Sequence, residues 1–123
     1  CHIMAEIGSQ CSFGIDMKYV LMAPIYAIPR LLEKEGISVN DIDLFEINEA
    51  FSGTSAGINK VLELDPEKVN VNGGSVALGH PIGASGARVL TTLLYEMEKR
   101  DAKRGVASLC LGGGEAVALI VNR

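Results

Sequence analysis

The stretch NVNGGSVALGHPIGASGAR, residues 70–88, lies between a predicted strand and a predicted helix. It contains five glycines and one histidine, but no carboxylate and no lysine. Pro81 favours an extended backbone at His80, and helical periodicity of the apolar residues begins near 83–85. We therefore expect His80 to face a helix N-terminus, whose partial positive charge disfavours the imidazolium and leaves a neutral ring able to act as a base or hydrogen-bond donor.

The five glycines of this stretch have two interpretations. They can allow a ligand or another strand to approach the backbone closely. They can equally be turn and packing residues around a hydrogen-bonded structural histidine. The stretch by itself leaves both interpretations open.

Apolar periodicity on either side of this stretch predicts alternating strands and helices. The strands are expected at 3–13, 43–47, 69–73, 105–111 and 115–122, and the helices at 24–36, 49–64 and from about 83–85 to about 100. The three glycines 112–114 predict a hairpin between the last two strands. This order predicts an α/β fold, a layered α-β-α domain with a mixed, largely parallel sheet.

Two of these helices carry specific expectations. The helix at 24–36 should bury residues 25, 28, 31 and 32, end at Gly36 and be bent or weakened by Pro29. The helix after His80 should present one apolar face made of Ala87, Leu90, Leu93, Leu94 and Met97.

Composition restricts the class of protein. A chain of 123 residues with 48% hydrophobic residues fits one domain with one core. A net charge of −4 without a basic cluster argues against a nucleic-acid partner. The longest uncharged run, 69–87, contains Gly, Asn and Pro residues and is not expected to span a membrane.

The three cysteines, at 1, 11 and 110, show neither a disulfide framework nor zinc-ligand spacing, so we expect no metal site and a reducing, cytoplasmic location. The chain has no signal-peptide pattern and does not begin with Met, so an upstream segment is expected.

Two further residues stand at predicted strand ends. Cys110 precedes three glycines, whose backbone N–H groups can bind an oxyanion and lower the pKa of a nearby thiol, although a strand cysteine is more often a small buried apolar residue. Asn48 follows the strand at 43–47 and is by default a helix N-cap. Because ligands bind at the carboxyl ends of parallel strands, Asn48, His80 and Cys110 are expected at one edge of the sheet.

Three segments in order carry a family resemblance: INEAF at 47–51, NVNGGSVALGHPIGASGAR at 70–88 and CLGGG at 110–114. They resemble the C-terminal active-site blocks of the thiolases, the coenzyme A dependent acetyl-CoA C-acetyltransferases and 3-ketoacyl-CoA thiolases. The likeness extends over most of the chain from about Gly14. It implies acyl transfer with Claisen condensation or thiolysis of acetyl-CoA or 3-ketoacyl-CoA, with the coenzyme A thioester as substrate and no permanently bound cofactor.

The resemblance also implies a role for each matching residue. Asn48 would hold a catalytic water, and His80 would activate the nucleophile and donate to a thioester oxygen. Cys110 would be the general acid and base, and the N–H of Gly112 would complete an oxyanion hole. Ala50 and Phe51 would line the acyl and pantetheine pocket.

The covalent acyl carrier of thiolases is a cysteine of their N-terminal half, and neither Cys1 nor Cys11 matches it. The resemblance therefore implies that residues 1–123 are a thiolase C-terminal domain, inactive alone, with an N-terminal domain and further copies as partners in a dimer or tetramer. Departures from the family pattern occur at Glu115, Ala116 and 52–54, but at none of the three reactive positions.

Two other interpretations remain. A nucleotide-binding α/β module would explain the glycines, but the segment GHPIGASG is not GxGxxG and no GK[ST] is present. A non-catalytic assembly domain with the same fold is the other, although the retained Asn48, His80 and Cys110 argue against it.

Overall fold

The computed structural model describes residues 1–123, which form a four-stranded sheet and four α-helices. The strands are β1 (Glu6–Gly14), β2 (Leu44–Ile47), β3 (Arg104–Leu111) and β4 (Glu115–Asn122). The helices are α1 (Pro24–Glu35), α2 (Ser52–Val61), α3 (Ser75–Leu78) and α4 (Ser85–Arg100). Short 3-10 helices lie at Met17–Met22, Val39–Asp41 and Pro66–Lys68.

The sheet has the strand order β1-β4-β3-β2. The predicted α/β fold with a mixed sheet is confirmed, but the expectation of a largely parallel sheet is wrong. Only β2 and β3 pair in parallel, whereas β4 is antiparallel to both of its neighbours. The turn 112–114 is too short for the crossover that a parallel pair requires, so β4 must return beside β3.

These pairings nevertheless give β1, β2 and β3 the same direction, because β1 and β3 are both antiparallel to β4. The carboxyl ends of these three strands therefore lie at one edge of the sheet. We call this the carboxyl edge. Asn48 follows β2 at this edge. Cys110 is the second-to-last residue of β3 and is paired with Ala116 of β4.

Each face of the sheet is covered by a long helix, which produces two cores. Under α1, apolar side chains of the helix pack on alternate residues of the strands; this core includes Ala27, Ile28, Leu31, Phe45, Ile47, Val106, Ala118 and Ile120. On the opposite face, α4 packs on the intervening residues; this core includes Leu44, Val89, Leu93, Met97, Ala107 and Val121. The alternation follows from the two-residue period of a strand and confirms the predicted α-β-α layers.

The predicted third strand at 69–73 does not form. Only Val69 bridges to Phe45 in parallel, and the chain then turns at Asn70, whose φ is 48°. The side chain of Asn70 accepts from the N–H of Ile47 at 2.8 Å and donates to its carbonyl at 2.8 Å. One buried amide thus satisfies the backbone groups of β2 that a fifth strand would have paired.

The long helices differ from expectation in details. α1 ends at Gly36 as predicted, with a left-handed φ of 69°, and it runs continuously through the exposed Pro29. α4 runs to Arg100, but its buried face is centred on Val89, Leu93 and Met97, and Ala87 is exposed. No helix combines the length and apolar character that crossing a membrane requires.

Candidate active site

Asn48 is placed by the end of β2. Its backbone N–H extends the parallel ladder by bonding the carbonyl of Ser108 on β3 at 2.9 Å. The residue is 1% exposed. The default interpretation of Asn48 as a helix N-cap is wrong, because α2 begins at Ser52 with Phe51 as its N-cap. The buried amide is therefore free to contact residues from outside its own segment.

His80 meets Asn48 across 32 residues of chain. Its Nε2 lies 3.5 Å from Nδ2 of Asn48, and its Nδ1 lies 2.6 Å from Oγ of Ser85. Ser85 is the first residue of α4, so His80 does lie at the N-terminus of the helix that follows it. His80 itself is exposed, whereas both of its partners are buried. The ring is thus anchored on two sides and open to solvent on another.

Asn48 is held in turn by Ser75, the first residue of α3. The Ser75 hydroxyl donates to Oδ1 of Asn48 at 2.6 Å and accepts from a guanidinium N–H of Arg88 at 3.4 Å. Ser75 is 6% exposed, so this contact is sheltered from water. Contacts between α3 and the end of β2 therefore fix the direction of the Asn48 amide.

Arg88 also pairs with Glu46 of β2, at 3.0 Å. Glu46 is 2% exposed, and this burial raises its pKa to about 7, although the Arg88 charge opposes the shift. The ion pair lies on the α4 face of the sheet, and Arg88 connects it to Ser75. It joins α4, β2 and α3 into one buried polar network.

Glu49 holds α3 in place. Its Oε2 accepts from the backbone N–H of Val76 at 2.9 Å, and its Oε1 accepts from Asn70 at 3.3 Å. A Cβ at Gly74 would lie 2.3 Å from Cδ of Glu49, so only glycine permits this approach. The group that approaches Gly74 is a side chain of this chain, so at this position the glycine acts as a packing residue.

Cys110 lies on β3 opposite Ala116 and is half-buried. Burial raises the pKa of its thiol, contrary to the expectation that the glycine turn would lower it. The predicted hairpin forms, with Leu111 paired to Glu115 and an exposed Gly112 in the turn. The unusual Glu115 and Ala116 are accommodated as regular residues of β4. Cys110 shares this edge with Asn48 but is outside its hydrogen-bond network.

The predicted pocket residues lie beside the site. Phe51 is 64% exposed and lines a cleft of about 270 Å³ with Tyr19 and Met22 of the first 3-10 helix. Ala50 precedes Phe51 in the sequence. It is half-buried and does not line this cleft. Cys11 faces α1, where its thiol donates to the carbonyl of Ala27 at 3.1 Å, as expected of a structural strand residue.

Sequence reasoning missed the residues that support the site: Glu46, Glu49, Asn70, Ser75, Ser85 and Arg88. One signal was available, since the charged Glu46 interrupts a predicted buried strand and so requires a partner. The serines carry no such signal, because their partners are more than ten residues away or are set by a turn. No group of three or more His, Cys, Asp or Glu side chains is arranged to hold a metal ion.

Comparisons with known proteins identify the family of the chain. A family model described as "Thiolase, C-terminal domain" matches residues 1–123. The chain is 54% identical over 120 residues to an acetyl-CoA acetyltransferase of Allochromatium vinosum, covering 98% of this chain and 30% of that protein. It is 52% identical over 120 residues to the cytosolic acetyl-CoA acetyltransferase of Mus musculus, with the same two coverages.

Solved structures show the same likeness. The Bacillus anthracis acetyl-CoA acetyltransferase matches with a TM-score of 0.94 at 47% identity, covering 96% of this chain and 30% of that one. Human mitochondrial 3-ketoacyl-CoA thiolase in complex with CoA matches with a TM-score of 0.94 at 41% identity, covering 97% and 30%. The chain thus spans about 30% of the length of its relatives. By sequence and by fold, it belongs to the thiolase family and corresponds to its C-terminal domain.

Proposed function

We propose that residues 1–123 are the C-terminal half of the active site of a coenzyme A dependent thiolase, an acyltransferase. The observation that carries this proposal is the contact of Asn48 with His80 at the carboxyl edge, where the strand bearing Cys110 also ends. Acetyl-CoA and acetoacetyl-CoA are the proposed substrates, because the relatives with about 50% identity are named acetyl-CoA acetyltransferases.

The reaction makes or breaks a carbon–carbon bond next to a thioester, which requires an enolate. In this proposal a water held by the Asn48 amide, beside His80, donates a hydrogen bond to the enolate oxygen and stabilises it. Cys110 removes the carbon-bound proton in condensation and returns it in thiolysis. The burial that raises the pKa of its thiol supplies a protonated donor for the thiolysis direction. The N–H of Gly112 lies in the exposed turn, where it can bind a thioester oxygen.

The acyl group is carried on a cysteine outside residues 1–123. In the first half-reaction His80 takes the proton of that thiol, the thiolate attacks the thioester carbonyl, and coenzyme A leaves as its thiol after protonation by His80. His80 is suited to this exchange because its ring is exposed while both of its nitrogens are directed by partners.

The proposed N-terminal domain would cover an open apolar groove on the α4 face. This groove, about 510 Å³, lies between α4 and the sheet and is lined by Val89, Leu90, Leu109, Val117 and Leu119 among others. We include in the proposal a cytoplasmic enzyme of fatty acid metabolism that forms a dimer or tetramer.

Light scattering tests the groove. The isolated chain should self-associate as its concentration rises, since exposed apolar surface favours contact between copies. Leu119→Glu in the groove should reduce this association, whereas Glu33→Gln on the exposed side of α1 should not. A monomer at all concentrations would contradict the role of the groove.

Activity tests the proposed function itself. The full-length protein should cleave acetoacetyl-CoA in the presence of coenzyme A, and residues 1–123 alone should not. His80→Ala in the full-length protein should reduce turnover by roughly 10²- to 10⁴-fold, as expected when a positioned acid or base is removed. Glu33→Gln is the matched surface control and should retain parental turnover. A folded full-length protein without turnover would favour the non-catalytic assembly domain.

A further inference from the structure

An uncharged histidine ring can carry its proton on either nitrogen, and at His80 only one choice suits a base whose Nε2 faces the reaction. Nothing in the ring itself decides between the two. The hydrogen bonds around the ring determine which nitrogen carries the proton. They involve two serines, Ser75 and Ser85, to which the sequence assigned no role. Arg88 fixes the direction of the first of these hydrogen bonds, because a guanidinium can only donate.

Arg88 directs an N–H toward Oγ of Ser75 at 3.4 Å, so the Ser75 hydroxyl accepts there and its own proton is free for Asn48. At 2.6 Å from Ser75 stands Oδ1 of Asn48, which can only accept. The opposite orientation of the amide would place two N–H donors where Ser75 donates. Ser75 thus turns the Nδ2 donors of Asn48 toward His80.

Nδ2 of Asn48 lies 3.5 Å from Nε2 of His80, so a proton on Nε2 would face another donor. The lone pair belongs there, and the ring proton belongs on Nδ1. The contacts of Ser85 lead to the same assignment. Its hydroxyl donates to the carbonyl of Pro81 at 3.1 Å, so its oxygen, 2.6 Å from Nδ1 of His80, accepts the hydrogen bond from the Nδ1 proton.

Both lines of hydrogen bonds favour the same tautomer, and the Ser85 contact at 2.6 Å, much shorter than the 3.5 Å from Asn48, is the one that fixes it. We propose that Ser75 and Ser85 are positioning residues of the site: Ser75 sets the direction of the Asn48 amide, and Ser85 sets the tautomer of His80. Both are buried, at 6% and 1% exposure, so water does not readily replace either hydroxyl. The inference rests on the proposed function and adds a division of labour to it.

The two serines should affect different half-reactions. Ser85 acts through His80, which activates the nucleophile, so Ser85→Ala should slow formation of the acyl-enzyme. Ser75 acts through Asn48, which holds the water at the enolate oxygen, so Ser75→Ala should slow exchange of the acetyl-CoA methyl protons with deuterated water. Each loss should be roughly tenfold, corresponding to one directed hydrogen bond.

The experiment uses the full-length protein with acetyl-CoA, and measures acyl-enzyme formation by rapid-quench mass spectrometry and methyl exchange by NMR. Ser85→Ala should lower the acylation rate with KM unchanged, and Ser85→Thr should restore it. Ser75→Ala should lower exchange while acylation stays near the parental rate, and Ser75→Thr should restore exchange. A purely structural role would lower thermal stability without this split or this rescue.

Ser108→Ala is the matched control. Ser108 is completely buried, and its hydroxyl donates to the carbonyl of Val117 at 2.8 Å. Ser108 bonds Asn48 only through its backbone carbonyl, which Ser108→Ala retains. This variant should lose comparable stability and keep both rates. Parental rates in Ser75→Ala and Ser85→Ala, with His80→Ala inactive, would overturn this inference alone. An inactive parent protein would instead overturn the proposed function.

Discussion

The core beneath α1 and the polar network at the carboxyl edge are both buried, but different forces hold them. The core consists of alternating apolar side chains such as Ile28, Phe45 and Ile120, which are 0–2% exposed and require only volume and contact. The network consists of directional contacts between Glu46, Arg88 and their partners. Substitutions in the core should therefore lower the free energy of unfolding. Substitutions in the network should change the charge of a buried group or the activity before they unfold the protein.

Phe45 gives the largest expected effect on stability. It is 2% exposed in the α1 core, so Phe45→Ala should lower the free energy of unfolding by about 3–5 kcal/mol through lost contacts and a cavity. Urea unfolding followed by circular dichroism measures this change. Phe51→Ala is the matched control, since Phe51 is 64% exposed and should change stability by less than about 0.5 kcal/mol. Equal effects of the two variants would show that the core is placed wrongly.

Glu46 should make stability depend on pH, unlike any residue of the apolar core. Burial raises its pKa from 4.5 to about 7, against the charge of Arg88 and with a small contribution from Glu49 and Glu96. The protonated Glu46 carboxyl therefore contributes to the free energy of unfolding. This contribution is fully present below about pH 4.5 and is lost as pH rises toward and through 7, a difference of about 3 kcal/mol for a shift of this size.

Glu46→Gln should remove this dependence, so the melting temperature of the parent should fall relative to that of the variant as pH rises from 4.5 to 7.5. A carboxyl whose pKa is lowered gives the opposite sign, and Asp41, held by Ser38, is the comparison. Asp41→Asn should be less stable than the parent above about pH 4, and this difference should shrink as pH falls further. Parallel pH curves for the parent and Glu46→Gln would contradict the assigned pKa direction.

Gly114 is a smaller test, of the turn that carries the site rather than of either buried region. Its φ is +90°, and a Cβ there would lie 2.4 Å from the carbonyl of Ile15, so Gly114→Ala should cost about 1–3 kcal/mol. A Cβ added at Gly53 in α2 has no atom within 4 Å, so Gly53→Ala should instead raise the free energy of unfolding by about 0.5–1 kcal/mol. Differential scanning calorimetry on both variants should give shifts of opposite sign.

The sequence correctly predicted those features that depend on residues close to one another in the chain. The Gly36 end of α1, the 112–114 hairpin and the position of His80 before α4 follow from dihedral preferences and short periodicity. The predicted strand at 69–73 failed because Asn70 replaces a strand with one side chain, a contact across 23 residues of chain. Strand direction likewise depended on which strand joins β4, which periodicity does not encode.

The same distinction applies to the site. The segments containing Asn48, His80 and Cys110 were visible as motifs, and the structure places these residues at or beside one edge. Ser75 and Arg88 were not visible, because their significance depends on a hydrogen-bond partner elsewhere in the fold. Motifs therefore predicted which candidate residues lie at this edge, whereas the residues that contact and orient them were found only in the structure.

The central claim is that the carboxyl edge divides its work, with His80 serving acylation and Cys110 moving the carbon-bound proton. The most direct measurement is a paired one on full-length Cys110→Ser with acetyl-CoA: the acyl-enzyme burst by mass spectrometry and methyl-proton exchange in deuterated water. Serine fits the site but is a far weaker acid, so the burst should remain while exchange falls by roughly 10²- to 10⁴-fold. Loss of the burst together with exchange, or exchange at the parental rate, would contradict the assignment.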